Sequence, residues 1–175
     1  MLTIGGIGKS TGQAGHGAQR VADKDDIDAD GPPLHAALPE TRRSLPIALM
    51  RARERVMEPV RRMLARSGIS EQKWRILRVL AEHGSQDTGT LADLACIPPP
   101  SLTRLLQAME DQRLAQRRID PDDRRRQIVR ITSLGRSLIA EHAQEATRLA
   151  QAWRSKLGSE RYEQLLDLLE ALDRP

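Results

Sequence analysis

The residues best suited to chemistry lie at 120–126, where Asp120-Pro121-Asp122-Asp123 runs directly into Arg124, Arg125 and Arg126. Guanidinium groups on a protruding turn form forked, charge-assisted bonds with phosphate and fit a narrow minor groove. In water such side chains cost little, so this run standing alone would be an ordinary solvated turn. Asp123, two residues before Arg125, is placed to orient that side chain by a charge-assisted bond. A second polar set, Ser101, Thr103, Arg104 and Gln107, is interleaved with Leu102, Leu105, Leu106 and Met109. On a helix, that spacing buries the apolar residues and leaves the polar ones facing outward.

Other candidates for chemistry fall away. Gly-Ile-Gly-Lys-Ser at 6–10 looks like the end of a phosphate-binding loop, but that loop needs a glycine five residues before Gly8, where Thr3 stands. No strand precedes it either. Cys96 is the only cysteine, which excludes an intramolecular disulfide or a cysteine-based zinc site. At the end of an apolar helix it is expected to be a buried small hydrophobe. His83 and His142 have only Glu82 and Glu141 beside them, and helix surface or termini account for both. No nucleophile elbow, paired catalytic carboxylates or metal constellation is present, so neither an enzyme nor a cofactor is expected.

The elements that must position the two polar sets can be read in order. A helix begins at Ser44, a possible cap, with Pro46 in its first turn; Leu45, Leu49, Ala52, Val56, Val60, Met63 and Leu64 recur at three- and four-residue steps. Pro59 should kink it, and Gly68 supplies a left-handed stop. Ser70 opens a second helix through Trp74, Ile76, Leu77, Val79 and Leu80. Asp87 or Thr88 can cap a short third helix over 90–96, with Leu91, Ala92, Leu94 and Ala95 facing inward. After the rigid run Ile97-Pro98-Pro99-Pro100, a fourth helix can start at its last proline. Two short helices around a tight turn give a helix-turn-helix outline. Residues 114–119 and 127–132 then read as a two-stranded hairpin around the arginine turn, which is a wing. Helix resumes after Thr132, breaks at Gly158-Ser159, and ends with the leucines 165, 166, 168, 169 and 172. The fold class is therefore mainly α: a winged helix-turn-helix with long N- and C-terminal dimerisation helices and a two-stranded β wing.

Composition fits this outline. The chain holds no Phe, one Tyr and two Trp, so its core must be aliphatic, which favours helices over a sandwich or barrel. Residues 1–40 contain seven of the 12 glycines and carry three basic against six acidic side chains, a balance of −3 that leaves +7 on the remaining 135. Such an arm cannot bury enough surface to order itself, and is expected to be disordered. A basic body behind it suits a polyanion. The Leu-rich terminal helices would expose apolar stripes on a single chain, which argues for a second copy. No apolar run approaches a membrane span, so no membrane partner and a cytoplasmic location are expected. The organisation expected is an arm over 1–40, dimerisation helices over 41–69 and 133–175, and the winged domain over 70–132.

The stretch from Asp120 to Thr132, followed by Ser133-Leu134-Gly135, resembles the wing signature of MarR-family regulators. Residues 44–57, Trp74 to Glu82, Ala95-Cys96-Ile97 and Pro100 to Thr103 further resemble one branch of that family, which contains the homoprotocatechuate-degradation repressors and other aromatic-acid-responsive members. The resemblance covers roughly residues 44–172. It implies a homodimer whose terminal helices intertwine, double-stranded palindromic operator DNA as partner, and a small aromatic carboxylic acid as effector. Pro100 and Ser101 would then sit at the start of the recognition helix against a phosphate. Thr103, Arg104 and Gln107 would reach base edges, and the wing residues Asp123, Arg124, Arg125 and Arg126 the adjacent groove. Arg113 stands where family members usually carry glycine, and Pro98-Pro99 is an unusual pair.

Effectors of this family bind where the dimerisation helices meet the winged domain. An anionic aromatic acid needs a cation and an apolar wall there. Arg53, Trp74 and Arg75 are the candidates, against a plain core role for Trp74 and ion pairs of the arginines with Glu54, Glu58 or an aspartate. The rival function is a non-inducible architectural DNA binder or an activator with the same fold.

Overall fold

The computed structural model describes residues 40–123 and 125–173. The arm expected over 1–40 lies outside the described residues except for Glu40, as do the segment 6–10 and Arg124. The chain divides into two units, 1–44 and 45–175. The described part of the first is a turn in which the Arg43 and Ser44 amides donate to the Glu40 carbonyl at 2.8 and 3.0 Å.

The second unit runs α1 (Leu45–Ala65), α2 (Glu71–His83), β1 (Gln86–Asp87), α3 (Thr88–Leu94), α4 (Pro99–Asp111), β2 (Ala115–Ile119), β3 (Gln127–Ile131), α5 (Ser133–Leu157) and α6 (Ser159–Asp173). It is mainly α. The helix α1 continues through Pro59 and closes where Gly68 turns left-handed, at φ 65°. Ser70 caps α2 by accepting from the Lys73 amide. The hairpin pairs antiparallel, with Gln116 opposite Arg130 and Arg117 opposite Val129. A short third strand, β1, adds to its free edge in the order β1-β3-β2. Two residues with intermediate burial carry no period, which is why β1 escapes a pattern reading.

Both helices of the helix-turn-helix sit slightly earlier than expected. The third begins at Thr88 rather than 90, because Asp87 accepts from the amides of Gly89 and Thr90 and so sets the first turn. The fourth begins at Pro99 rather than Pro100, since a proline needs no amide partner in a first turn. Each ends in a non-glycine residue in the left-handed region: Cys96 at φ 50° and Arg113 at φ 58°. Each is held by the same bond pair. Ile97 N–H donates to the Ala92 carbonyl and Cys96 N–H to that of Asp93; Leu114 and Arg113 do likewise to Met109 and Glu110. These are Schellman caps without the usual glycine, at a cost of roughly 1 kcal/mol each.

One large apolar cluster joins Ile76, Leu77 and Leu80 of α2 to Leu91, Leu102, Leu106, Met109, Val129 and Ile131. A smaller one joins Met63 and Leu64 of α1 to Trp74, with Ile139, Ala146 and Leu149 of α5 packed against it. Leu94 and His142 depart from expectation on burial. Leu94 does not face inward but is 45% exposed. His142 is no surface residue: it is buried, its Nε2 lies 2.8 Å from the Ser67 hydroxyl, and its ring meets Trp74 edge-on at 5.7 Å.

Thr132 ties the wing to α5. Its hydroxyl accepts from the Gly135 amide and donates to the Arg113 carbonyl at 2.6 Å. Gly135 is packed so closely that a Cβ would overlap the Leu114 carbonyl and approach Ile131 Cγ1 to 2.7 Å. Gly135→Ala should therefore destabilise the chain by about 1–3 kcal/mol, with a matching drop in urea midpoint. An unchanged midpoint would show that this junction yields freely.

Candidate functional site

The outward face of α4 and the wing form one basic surface. Pro100, Thr103, Arg104 and Gln107 are exposed and Ser101 is half-buried, while Leu102, Leu106 and Met109 point into the core. The polar groups are not equally available. The Thr103 hydroxyl donates to the Pro99 carbonyl at 3.1 Å. The Gln107 amide is held at both ends, accepting from Arg117 at 2.8 Å and donating to Asp111 at 3.2 Å. The Arg104 side chain has no hydrogen bond or ion pair among the described residues, so it is a guanidinium on this face that is ready to engage a new partner.

The wing is fixed at its base and free at its tip. Glu110 of α4 accepts from the backbone amide of Arg117 at 2.7 Å and from its Nε at 2.9 Å. The Arg117 guanidinium holds the Glu110 carboxyl below its ordinary range. Nearer the tip, the Arg126 guanidinium donates to Asp87 at 2.9 Å, so one of the three wing arginines anchors β3 to the cap of α3. The expected bond from Asp123 to the Arg125 side chain is absent: Asp123 instead accepts from the Arg125 backbone amide at 3.0 Å. A carboxylate two residues upstream closes a turn on the main chain more readily than it reaches round to a guanidinium. The Arg125 side chain is left exposed, without a partner among the described residues.

Behind the helix-turn-helix lies a cleft of about 470 Å³ between α1, α2 and α5. It brings together all three residues proposed for an effector, Arg53, Trp74 and Arg75. Val56, Met57, Val60 and Trp153 add apolar wall, and Arg78 adds a third guanidinium that sequence reasoning missed. Arg78 follows Trp74 by one helical turn, a spacing that could have revealed it. Arg53 pairs with Glu71, not with Glu54 or Glu58; Glu54 is taken by Arg61 and Glu58 by Arg62. Arg75 differs. Its Nε is buried without a hydrogen-bond partner, and its Nη1 reaches only the Cys96 carbonyl, at 3.4 Å. Such an orphaned donor is costly unless something fills it. Cys96, expected to be buried, is exposed and lines this cleft with Leu94 and Ala95. The left-handed cap turns the end of α3 outward, which a periodicity continued through 96 could not anticipate.

A recognition helix, an arginine-tipped hairpin braced against it and an adjoining cationic, aromatic cleft define a winged helix-turn-helix DNA-binding regulator. The chain belongs to the MarR family, whose model matches residues 69–126. It is 40% identical over 129 residues to the HTH-type transcriptional regulator FarR of Neisseria gonorrhoeae, covering 74% of this chain and 88% of that one. It is 38% identical over 130 residues to the homoprotocatechuate degradative operon repressor of Escherichia coli, covering 73% and 86%. Among solved structures it resembles NadR in complex with 4-hydroxyphenylacetate, with a TM-score of 0.69 and 37% identity over 77% of this chain and 96% of that one. The protein is a transcriptional repressor of MarR type, related to aromatic-acid-responsive regulators, and its relatives are regulators rather than enzymes. Among the described residues no helix is long and apolar enough to cross a membrane.

Asp87 carries a testable load. The Thr90 amide and hydroxyl, then Arg126, hold its carboxyl down at about 2 against an ordinary 3.8. The folded value lies below the unfolded one, so the linked stability is fully present above 3.8 and fades as pH falls through about 2. Asp87→Ala should cost about 1 kcal/mol at neutral pH through the lost cap. It should also flatten the acid side of the stability profile between pH 5 and 2, as followed by thermal melts. A profile parallel to the wild type would remove Asp87 from this role.

Proposed function

We propose that this protein is a homodimeric, ligand-responsive repressor that binds palindromic operator DNA and is released by a small aromatic carboxylic acid. The observation that carries this reading is the convergence of Arg53, Arg75 and Arg78 on one cleft walled by Trp74 and Trp153. A carboxylate would pair with these guanidiniums, and an aromatic ring would fill the apolar remainder. The homoprotocatechuate degradative operon repressor and NadR, which is solved with 4-hydroxyphenylacetate, point to the same ligand class.

The second copy is argued from the terminal helices. Leu45, Met50, Leu168 and Leu172 are each more than half exposed, and no residue of α6 is buried in the single chain. Residues 41–69 and 133–175 would bury these stripes in a dimer, leaving 70–132 to carry the DNA interface. Half-sites should then lie about one helical turn apart. Within each half-site Pro100 and Ser101 meet a phosphate, Arg104 reads a base edge with Thr103 and Gln107 beside it, and the wing tip at Asp123–Arg125 enters the neighbouring groove. Arg126 contributes by fixing the wing.

The path from ligand to DNA is short. Leu94, Ala95 and Cys96 line the cleft, and the recognition helix starts three residues after Cys96 across Ile97 and Pro98. Proline locks φ, so a shift of the cap passes on to α4 instead of being absorbed. An acid that draws Arg75 from the Cys96 carbonyl binds one arrangement of this turn better than the other, and its leverage equals that difference. Arg75→Gln should raise the 4-hydroxyphenylacetate concentration needed for release roughly tenfold, with basal operator affinity retained. Arg53→Ala should do less, because Glu71 already neutralises Arg53. Gel shifts on duplexes selected by the protein itself test both. Wild-type binding indifferent to the acid would favour the non-inducible DNA binder. Arg125→Ala should lower the salt slope of DNA binding by about one unit, and an unaltered slope would exclude a phosphate contact there.

A further inference from the structure

A separate cleft of about 420 Å³ shares no residue with that of Trp74. Its floor is Leu80 and Ile131; Ser85, Gln116, Arg130 and Arg136 surround it. Three local features build it. Gly84, left-handed at φ 74°, ends α2 and releases Ser85 into a loop. Gln116 and Arg130 sit opposite each other in the β2–β3 register. Their neighbours Arg117 and Val129 turn the other way, to Glu110 of α4 and to the core, so Gln116 and Arg130 occupy the sheet face away from the recognition helix. Arg136 comes from the first turn of α5, held in place by the Thr132 cap.

Seven of the arginines are already paired. Arg53, Arg61, Arg62, Arg66, Arg117, Arg126 and Arg154 each have a carboxylate partner. The Arg130 and Arg136 side chains, like those of Arg104 and Arg125, have no hydrogen bond or ion pair among the described residues, but these two share one cleft, and it is lined by no Asp or Glu. Two guanidiniums facing one concavity repel each other unless an anion lies between them. One oxyanion accepts forked bonds from both, and converts the repulsion into attraction.

We propose that this cleft is a second anion site, in which Arg130 and Arg136 bind one phosphate or carboxylate group with Gln116 and Ser85 as neutral partners. The oxyanion has two possible sources, a small acidic or phosphorylated molecule or the backbone of bound DNA. The position behind the sheet, over an apolar floor, suits the small molecule. This site stands whether or not the Trp74 cleft takes an aromatic acid.

The full chain, the Arg130→Gln/Arg136→Gln double variant and Arg75→Gln are titrated calorimetrically with inorganic phosphate at constant ionic strength. The double variant should bind phosphate roughly tenfold more weakly than the wild type at this site, while Arg75→Gln keeps the binding event that the double variant loses. The salt dependence of binding to a duplex is measured on the same three proteins. A slope lowered only in the double variant, by about one unit per phosphate engaged, with free phosphate binding unaffected, would assign the oxyanion to DNA. Both arginines are exposed, so the double variant should fold, and its melting curve confirms that. Equal phosphate binding and equal slopes in the wild type and the double variant would overturn the site.

Discussion

Helix α2 belongs to two hydrophobic clusters at once, and the rest of the molecule is arranged around that sharing. One face sends Ile76, Leu77 and Leu80 into the core of the winged domain; two residues before Ile76, Trp74 packs with Met63 and Leu64 of α1 and stands edge-on to His142 of α5. A helix of 13 residues cannot flex much between two packed ends. Whatever moves Trp74 and its neighbours against α1 and α5 therefore moves the helix-turn-helix too. The cleft lies at that junction, bounded on one side by the helices that lead to the termini and on the other by the turn that launches the recognition helix.

Electrostatics divides labour among the arginines. Those with carboxylate partners brace the fold: Arg117 fixes the wing strand to α4 through Glu110, and Arg126 fixes it to the α3 cap through Asp87. Bracing leaves the wing and the recognition helix as one body. Arg104 and Arg125, which lack partners among the described residues, face outward on the same surface. Desolvating an already paired guanidinium would sacrifice its bond, whereas an unpaired one gains a partner on meeting phosphate or a base edge. The same logic separates Arg53 from Arg75 in the cleft, since Glu71 occupies the first and nothing fills the second Nε.

Much of this was legible in the sequence. Helical period placed α1, α2, α5 and α6 to within a residue or two, and the Asp-Pro-Asp-Asp turn marked the wing. The three residues proposed for the effector line one cleft. What escaped has a common cause: periodicity describes regular elements, whereas caps obey local hydrogen bonding. Cys96 looked like the last buried residue of a helix, but a Schellman cap turns it outward into the cleft. Asp87 looked like a cap alone and is also the wing's anchor, a contact across 39 positions that spacing cannot register. His142 looked like helix surface because its partner, the Ser67 hydroxyl, is 75 residues away. Arg113 adopts the left-handed conformation that glycine takes most readily, with its own amide and that of Leu114 donating to the Glu110 and Met109 carbonyls, so the helix ends without a glycine.

Under the proposed function, a small acid in the Trp74 cleft and DNA on the recognition helix oppose each other through one rigid junction. Linkage makes the opposition reciprocal: the factor by which the acid weakens DNA binding must equal that by which DNA weakens acid binding. The most direct test is to titrate 4-hydroxyphenylacetate into the free protein and into its saturated complex with a selected duplex, following heat or Trp fluorescence. The account predicts weaker binding to the complex, by the same factor the acid imposes on the duplex affinity. Equal affinity for both forms would contradict it.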